Sequence, residues 1–463
     1  MSLSRVAARG RPFQSIRSSR PAATWVPITL LLLGGALLAA GPAQAAVGAS
    51  TEHGTAELSD SAGAEELVRY ALENSPVVAA AYHRWRAASA RVPQVTALPD
   101  PEFGIGFVID EVDRSSDYMG ERYSVSQMFP WFGKRGLKGG IAEQEAEAAA
   151  RRHEAARLDV TAQVTAAWFE YAWLFEAVET ARENLALVLH LESVARALYR
   201  AGEVSQSDVT RAQVELGRLE DRVRSLQDQL APAAARLNAV LGRSAHASLP
   251  RPVAPSRQAI AELPGHDDET WLSLARTNNP ELEAYRHSIE RERQSIDLAR
   301  REYYPDVMLG LEYGRDTGGR MAMMDGGGRD MVVAMVSVNV PIRRGRLDAA
   351  VSEARDRLSA ASRETQAREL ELDNELKAAL FAWREGERRM QLYGGTLLPK
   401  ARQSLAATET AYRVGETSFT DLIDAQRVLL EFQLDHERAA ADRAQAQARI
   451  RALVGPMNEE QTP

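Results

Sequence analysis

Cysteine is absent from the 463-residue sequence, and the eight histidines show no H-x-x-x-H spacing. Without cysteine, the chain can form no disulfide, cysteine-ligated metal site, thiol nucleophile or acylated N-terminal cysteine. The sequence also lacks a convergent set of nucleophile, base and metal ligands, so we predict neither an enzyme nor a bound metal or cofactor. The formal net charge of −8 argues against a nucleic-acid partner.

Acidic residues are missing from the first 51 positions, where five arginines precede an apolar run from Ile28 to Ala40. The run of about 13 residues is shorter than the roughly 20 that a spanning helix needs. Ala43-Gln44-Ala45 fits a small-residue cleavage site. We therefore predict a signal peptide at 1–45 and an exported mature chain that begins with a polar segment at 46–63.

The remaining sequence contains two related halves. We predict a first structural repeat at 64–242 and a second at 269–456, with a Pro-rich linker at 243–268 and a tail at 457–463. Three motifs of the first half recur in the second: Asn74-Ser75-Pro76 as Asn278-Asn279-Pro280, Tyr199–Ser205 as Tyr412–Ser418, and Leu241-Gly242 as Val454-Gly455.

Each repeat is predicted to contain a helix, two strands, a long helix, a turn and a returning helix. Alternating side chains indicate the strands, because a period of two is typical of β-structure. Proline is missing from 137–200 and occurs once in 346–412, so each stretch predicts a coiled-coil helix about 95 Å long. The first helices are predicted at 64–91 and 269–301, and the strands at 102–110, 121–130, 306–314 and 331–341.

One face of each predicted strand is apolar, as with Phe103, Ile105 and Phe107, while the other face is small or polar. Strand lengths of about 9–12 residues suit a tilted membrane strand, and no later apolar stretch is long enough for a membrane helix. Because four strands cannot close a barrel and open edges are not tolerated in lipid, we predict that several copies share one barrel. The alternative is two soluble hairpins packed on helices.

These features resemble the TolC-type outer-membrane efflux factors over about 64–456. The resemblance is carried by Tyr-x-x-Gly-x-x-Ser-x-x-Asp at each turn and by Ala212-Gln213 and Ala425-Gln426 shortly after it. It implies a mainly α fold of long antiparallel coiled-coil helices, with four strands per chain. As a homotrimer the chain would form a 12-stranded barrel in outer-membrane lipid and a helical tunnel in the periplasm.

The resemblance also implies partners and a function. The tunnel would dock onto a periplasmic adaptor, which in turn belongs to an inner-membrane pump; the RND type of pump is one candidate. The channel would passively conduct metal ions or small toxic molecules out of the periplasm. The segment 127–135 looks like that of factors paired with heavy-metal pumps. The alternatives are a type I protein-secretion conduit and a non-channel periplasmic coiled-coil structural or adaptor protein.

Asp421 and Asp424 begin the last helix at a spacing of i, i+3, which can place them on one face. The resemblance implies that they form rings of carboxylates at a periplasmic gate, together with Tyr412. The simpler interpretation is that acidic residues stabilise a helix N-terminus. The family uses an arginine in its gate where this chain has Thr417, and we hypothesise that Arg413 or Arg211 takes its place.

The two turns are predicted to cap helices and, by resemblance, to dock the adaptor; their residues are Gly202, Glu203, Ser205, Gly415, Glu416 and Ser418.

Trp131 and Phe132 predict an aromatic belt at the membrane interface, with Lys134 and Arg135 just outside the bilayer. The Gly-rich run Gly326–Gly328 in the second strand-connecting loop is flanked by four methionines, Met321, Met323, Met324 and Met331. Thioethers suit Cu(I) or Ag(I), but we favour a flexible loop with adaptable side chains.

Overall fold

The computed structural model describes residues 63–107, 120–252, 263–316 and 330–456. The predicted signal peptide at 1–45, nearly all of the predicted polar segment at 46–63, the predicted tail at 457–463, and Met321, Met323 and Met324 lie outside these residues. None of the helices within the described ranges is long and apolar enough to cross a bilayer. The helices are α1 (Ala64–Asn74), α2 (Pro76–Thr96), α3 (Lys134–Ala201), α4 (Gln206–Val240), α5 (Asp268–Asn278), α6 (Pro280–Arg301), α7 (Arg344–Leu392), α8 (Leu398–Arg413) and α9 (Phe419–Val454).

The opening helix of each repeat is broken, and the prediction of single helices at 64–91 and 269–301 is wrong. Ser75 separates α1 from α2, and Asn279 separates α5 from α6, both in extended backbone with ψ of 124° and 118°. Proline disfavours helical backbone in the residue before it, and it fits the first turn of the helix that follows. Each Asn-x-Pro motif therefore ends one helix and starts the next.

The predicted long helices are confirmed, with one interruption. Helix α3 runs for 68 residues without a break, a length of about 100 Å at 1.5 Å per residue. The second rod contains a π-helical turn at Tyr393–Leu397 between α7 and α8. Pro399 lacks the N–H that would bond to the carbonyl of Gly395, and a wider turn relieves the clash at that point.

Four strands form one antiparallel sheet in the order β1 (Glu102–Phe107), β2 (Gly120–Phe129), β3 (Val307–Asp316), β4 (Met331–Val338). Their alternation matches the predicted strands, with ends that differ by up to three residues. One face is apolar and exposed: Phe103 is 79% exposed and Val336 70%. Within the described residues β1 pairs only with β2, and β4 only with β3. The sheet thus has an apolar face and two open edges.

Two of the repeated motifs meet in space in each repeat. A Cβ built on Gly242 would lie 2.9 Å from the carbonyl oxygen of Asn74, and one on Gly455 would lie 2.5 Å from that of Asn278. Both glycines have positive φ, 74° and 84°. The end of each returning helix therefore packs directly on the Asn-x-Pro break, which explains why both motifs recur.

Candidate functional site

The helical hairpins α3–α4 and α8–α9 end in matching turns. At the first turn, the N–H of Glu203 bonds to the carbonyl of Leu198 at 3.0 Å, and Gly202 has φ 79°. At the second, the N–H of Glu416 bonds to the carbonyl of Ala411 at 2.9 Å, beside Gly415 with φ 76°. This pattern is the Schellman motif, in which a left-handed glycine closes the helix.

The starts of the two returning helices differ. Ser418 caps α9 in a capping box: its Oγ accepts the N–H of Asp421 at 3.2 Å, and its own N–H donates to Asp421 Oδ2 at 3.2 Å. The Thr417 hydroxyl also donates to Asp421 Oδ2, at 2.9 Å. Ser205 stands at the N-cap of α4 but makes no such bond, and its Oγ lies 2.5 Å from Ser207 Oγ.

Asp421 is therefore held as a charged capping residue. The hydrogen bond from the Ser418 side chain, then those from Thr417 and the Ser418 backbone, lower the pKa of the Asp421 carboxyl below its ordinary value. The carboxylate remains ionised throughout the neutral range, and its position is fixed by the turn. This contact pattern accounts for Asp421 as a helix cap, the simpler of the two interpretations.

We predict that Ser418→Ala weakens its turn and that Ser205→Ala, its counterpart in the first repeat, does not. The loss of a serine cap costs about 1 kcal/mol, so amide hydrogens in the first turn of α9 should exchange about five-fold faster. Hydrogen exchange measured on peptides from both turns gives the comparison directly. Equal acceleration in the two turns would contradict the assigned capping box.

Asp424 lies one turn further along α9, with a side chain that is 60% exposed. Its Oδ1 is 3.2 Å from Arg427 Nη1, and the same guanidinium contacts Glu215 on α4, a buried carboxylate. Arg427 thus links the second hairpin to the first. It also partly neutralises one of the two carboxylates predicted to form the gate.

The hypothesised replacements for the family's gate arginine are engaged elsewhere. Arg413, the last residue of α8, pairs at 2.5 Å with Oε1 of Glu409, which lies one turn earlier in the same helix. Arg211 donates from α4 to the Thr420 hydroxyl at the start of α9. Among the described contacts, neither guanidinium bonds to Asp421 or Asp424. Arg211 instead joins the two hairpins close to their turns.

Tyr412, predicted at the gate, is part of the core between the hairpins. It is 2% exposed, and its ring lies 5.4 Å from that of Phe419, centroid to centroid. Burial, and then the nearby carboxylate of Asp208, raise the pKa of Tyr412 to about 12. Its hydroxyl finds no partner among the described residues. The exposed aromatic residue at these turns is Tyr199, at 44%.

The predicted membrane belt lies where the sheet joins α3. Phe132 is 84% exposed, whereas Trp131 stacks on Tyr304 with ring centroids 5.6 Å apart. Lys134, predicted to lie just outside the bilayer, has a side chain that is buried within the protein, with its Nζ 2.9 Å from Asp306 Oδ1. Arg135 donates to the carbonyl of Thr96 at the end of α2. The two basic residues tie the sheet and helices together.

A family model for outer membrane efflux proteins matches residues 67–243 and 271–456, one segment in each repeat. The chain belongs to the outer membrane efflux protein family. The resemblance predicted from the repeated turns is confirmed, and so are the outer-membrane location, the efflux function and the mainly α fold with four strands.

Two relatives and one solved structure illustrate the similarity of this outer membrane efflux protein. The cobalt-zinc-cadmium resistance protein CzcC of Cupriavidus metallidurans is 25% identical over 370 residues, 79% of this chain and 83% of the relative. The outer membrane protein TolC of Vibrio cholerae is 24% identical over 411 residues, 85% and 91%. The crystal structure of VceC from Vibrio cholerae has a TM-score of 0.70 at 20% identity and covers 85% of this chain and 97% of VceC.

A buried polar chain in this efflux protein was missed by sequence reasoning. Gln426 Nε2 donates to Asn184 Oδ1 at 3.1 Å, and Asn184 Nδ2 donates to Gln433 Oε1 at 2.9 Å. Gln426 and Asn184 are both buried. The repeated Ala-Gln pair was the available signal, because a glutamine at a core position of a coiled coil needs a partner and so fixes the register of the helices.

Proposed function

We propose that three copies of this chain assemble into one passive channel, without bond chemistry or a resident cofactor. Three sheets of four strands would close into a 12-stranded barrel, and the helices would enclose a periplasmic tunnel. The observation that carries the proposal is the sheet itself, which has an exposed apolar face and, among the described residues, no pairing partner at the outer edges of β1 and β4. Lipid covers such a face, and closure removes such edges.

The turns are proposed as the periplasmic mouth and gate. Three copies of Asp421 and Asp424 would place six carboxylates around the pore, with Tyr412 packed behind them. Asp421 is fixed by its cap, and the exposed side chain of Asp424 is held by Arg427 alone among the described contacts. Rings of negative charge attract cations and repel anions. We therefore propose that the mouth favours cation entry.

Metal cations are the cargo that we propose. CzcC, with similarity over most of both chains, is a cobalt-zinc-cadmium resistance protein. The carboxylates at the proposed mouth suit a cationic cargo better than an anionic or apolar one. Deletion of the gene should then lower tolerance to transition metals more than tolerance to neutral drugs. Growth inhibition measured with both classes of compound would decide between them.

The same turns are proposed to dock a periplasmic adaptor, which would connect the channel to an inner-membrane pump, with the RND type as the candidate. Glu203, Ser205 and Gly415 are exposed, and Glu416 lies at the tip of its turn. Tyr199 and Val414 add exposed apolar surface, 44% and 67%, beside these polar residues. A polar rim with a few apolar contacts is typical of a protein interface.

We also propose that the segment 1–45 is cleaved as a signal peptide and that the two structural repeats span 64–242 and 269–456.

The double variant Asp421→Ala/Asp424→Ala is expected to weaken the cation selectivity of single channels in planar bilayers. Selectivity should fall several-fold, because the mouth loses six charges in a trimer. Asp221→Ala, which removes an exposed carboxylate further along α4, is the matched control. A soluble monomer in membrane fractionation would contradict the channel, whereas a channel with unchanged selectivity would contradict only the gate.

A further inference from the structure

Four methionines lie on the face of the sheet opposite its apolar face, and three of them, Met128, Met308 and Met335, are neighbours near one end, whereas Met331 pairs with Gly314 toward the other end. Met128 on β2 pairs directly with Met308 on β3, and Met335 on β4 pairs with Gly310, two residues further along β3. Phe103, Leu309 and Val336 alternate with these positions and belong to the apolar face. The register therefore separates the thioethers from the surface that lipid would cover.

Met308 lies between the other two methionines, directly opposite Met128 and diagonal to Met335. Residues directly opposite in an antiparallel pair have Cβ atoms about 4.5–5.5 Å apart, and diagonal neighbours remain within reach of long side chains. Met335 Cε, the methyl carbon bonded to the sulfur, is 3.6 Å from where a Cβ on Gly310 would be. The Met335 thioether thus extends over Gly310 toward β2. A side chain at position 310 would compete for that space.

These methionines are not explained by core packing. Met128 is 38% exposed and Met335 43%, and Met308 is half-buried. Most of the same face is glycine and serine, such as Gly104, Ser124 and Ser126, and its facing charges, Arg122 and Glu312, pair at 3.5 Å. Only 11 methionines occur in the whole chain. Three of them are clustered on a surface that otherwise carries mostly small or polar residues, with Met331 and Val333 as its other large apolar side chains.

The methionine cluster lies near the end of the sheet that joins the helices. Met128 is one residue from the end of β2, and Met308 is the second residue of β3, so both lie at the end of the sheet nearest the helices. Asp306 and Asn339, just outside the strands, bond to each other there. If the sheets close into a barrel, this face points into the lumen, where the barrel meets the helical tunnel. The inference rests on the proposed function for this reason.

We propose that Met128, Met308 and Met335 form a methionine site for a soft monovalent cation, Cu(I) or Ag(I), on the inner wall of the channel. Thioethers are neutral, soft donors that bind Cu(I) and Ag(I) and have little affinity for hard cations. No group of three histidine or carboxylate side chains suited to a metal occurs in the described part of the chain. Neutral ligands on an open wall bind weakly enough to release a moving ion, as conduction requires.

Silver binding to the purified full chain tests the methionine site, with Ag(I) nitrate as the probe because it is not oxidised in air. Met128→Leu/Met308→Leu/Met335→Leu keeps the side-chain volume and removes the sulfurs. Isothermal titration should show one Ag(I) fewer per chain, or at least ten-fold weaker binding. Met390→Leu on α7 is the matched control, and Met321→Leu/Met323→Leu/Met324→Leu tests the strand-connecting loop.

Channel recordings separate this inference from the proposed function. In wild-type channels Ag(I) should cause brief interruptions of the potassium current, and these should disappear in the triple leucine variant while the conductance persists. Silver binding that is unchanged in this variant, or lost entirely in the loop variant, would overturn the methionine site alone. A wild-type chain that opens no channel would overturn the proposed function.

Discussion

Replacing Gly455 by alanine is expected to be among the most damaging single substitutions in this protein. Gly455 has φ 84° and ψ −171°, a region of backbone space that is essentially restricted to glycine and costs other residues about 1–3 kcal/mol. The new Cβ would lie 2.5 Å from the carbonyl oxygen of Asn278, which adds roughly 1–3 kcal/mol of overpacking. We expect the free energy of unfolding to fall by about 2–6 kcal/mol.

Substitutions of three other glycines separate the cost of the backbone conformation from the cost of crowding by the new Cβ. Gly202→Ala has a positive φ of 79° but no neighbour within 4 Å, so it measures the backbone cost alone. Gly242→Ala combines φ 74° with a contact of 2.9 Å and should behave like Gly455→Ala. Gly217→Ala lies inside α4 with no neighbour within 4 Å and should be neutral or slightly stabilising. Thermal unfolding of the detergent-solubilised proteins, followed by circular dichroism, ranks the four.

A Gly455→Ala protein that unfolds at the wild-type temperature would contradict the close approach between α9 and the Asn-x-Pro break. If Gly202→Ala were as damaging as Gly455→Ala, backbone strain rather than crowding would explain the loss. The comparison also tests the duplication, because the same contact occurs once in each repeat.

The regular elements could be predicted because local sequence determines them. Alternation over 102–107 and 331–338 indicated strands, and the absence of proline over 137–200 predicted α3 to within a few residues. The break at Ser75 was missed although Pro76 was visible, since an apolar helical pattern continues on both sides of it. The π-helical turn at Tyr393–Leu397 depends on Pro399 and on the close packing of Gly394 against His436, a contact that local pattern cannot reveal.

The position of the candidate site could be predicted, but its contacts could not. The repeated turn motif fixed where the hairpins reverse, because glycine and serine caps act within a few residues. Arg427 and Glu215 are 212 residues apart in sequence, and their pairing follows from how α4 and α9 pack. The burial of Tyr412 likewise follows from Phe419, which approaches it only after the turn closes. Long-range packing therefore decides which predicted gate residues are exposed.

Lys134→Met is expected to weaken the connection between the sheet and the helices. Lys134 is 2% exposed, and its Nζ lies 2.9 Å from Asp306 Oδ1, 3.4 Å from Glu302 Oε2 and 3.0 Å from the carbonyl oxygen of Tyr304. Its removal leaves the Asp306 carboxylate with the N–H of Trp131 at 2.8 Å and no cation among these contacts. Breaking a fully buried ion pair from one side costs about 3–5 kcal/mol. Because the side chains of Asp306 and Glu302 are 19% and 41% exposed, we expect a loss of about 1–3 kcal/mol.

The matched control is Lys138→Met, an exposed lysine one turn along α3, which should change stability little. Lys134→Met/Asp306→Asn should recover more than half of the loss, because the asparagine oxygen can still accept from Trp131 without a buried charge. A double variant that is as unstable as Lys134→Met would show that lost packing of the lysine, rather than its charge, causes the effect. Thermal unfolding of the three variants gives the comparison.

The pH dependence provides an independent measurement of the same ion pair. Burial favours the neutral carboxyl, but the hydrogen bonds from Lys134 and Trp131 outweigh it and hold the pKa of Asp306 below its ordinary value. A lowered folded-state pKa contributes stability above the unfolded value of about 3.9, and this stability is lost as the pH falls through the folded value. The wild-type protein should therefore lose this contribution in acid, and Lys134→Met should lose less. Parallel stability profiles below about pH 4 would contradict the assignment of Lys134 as the partner of Asp306.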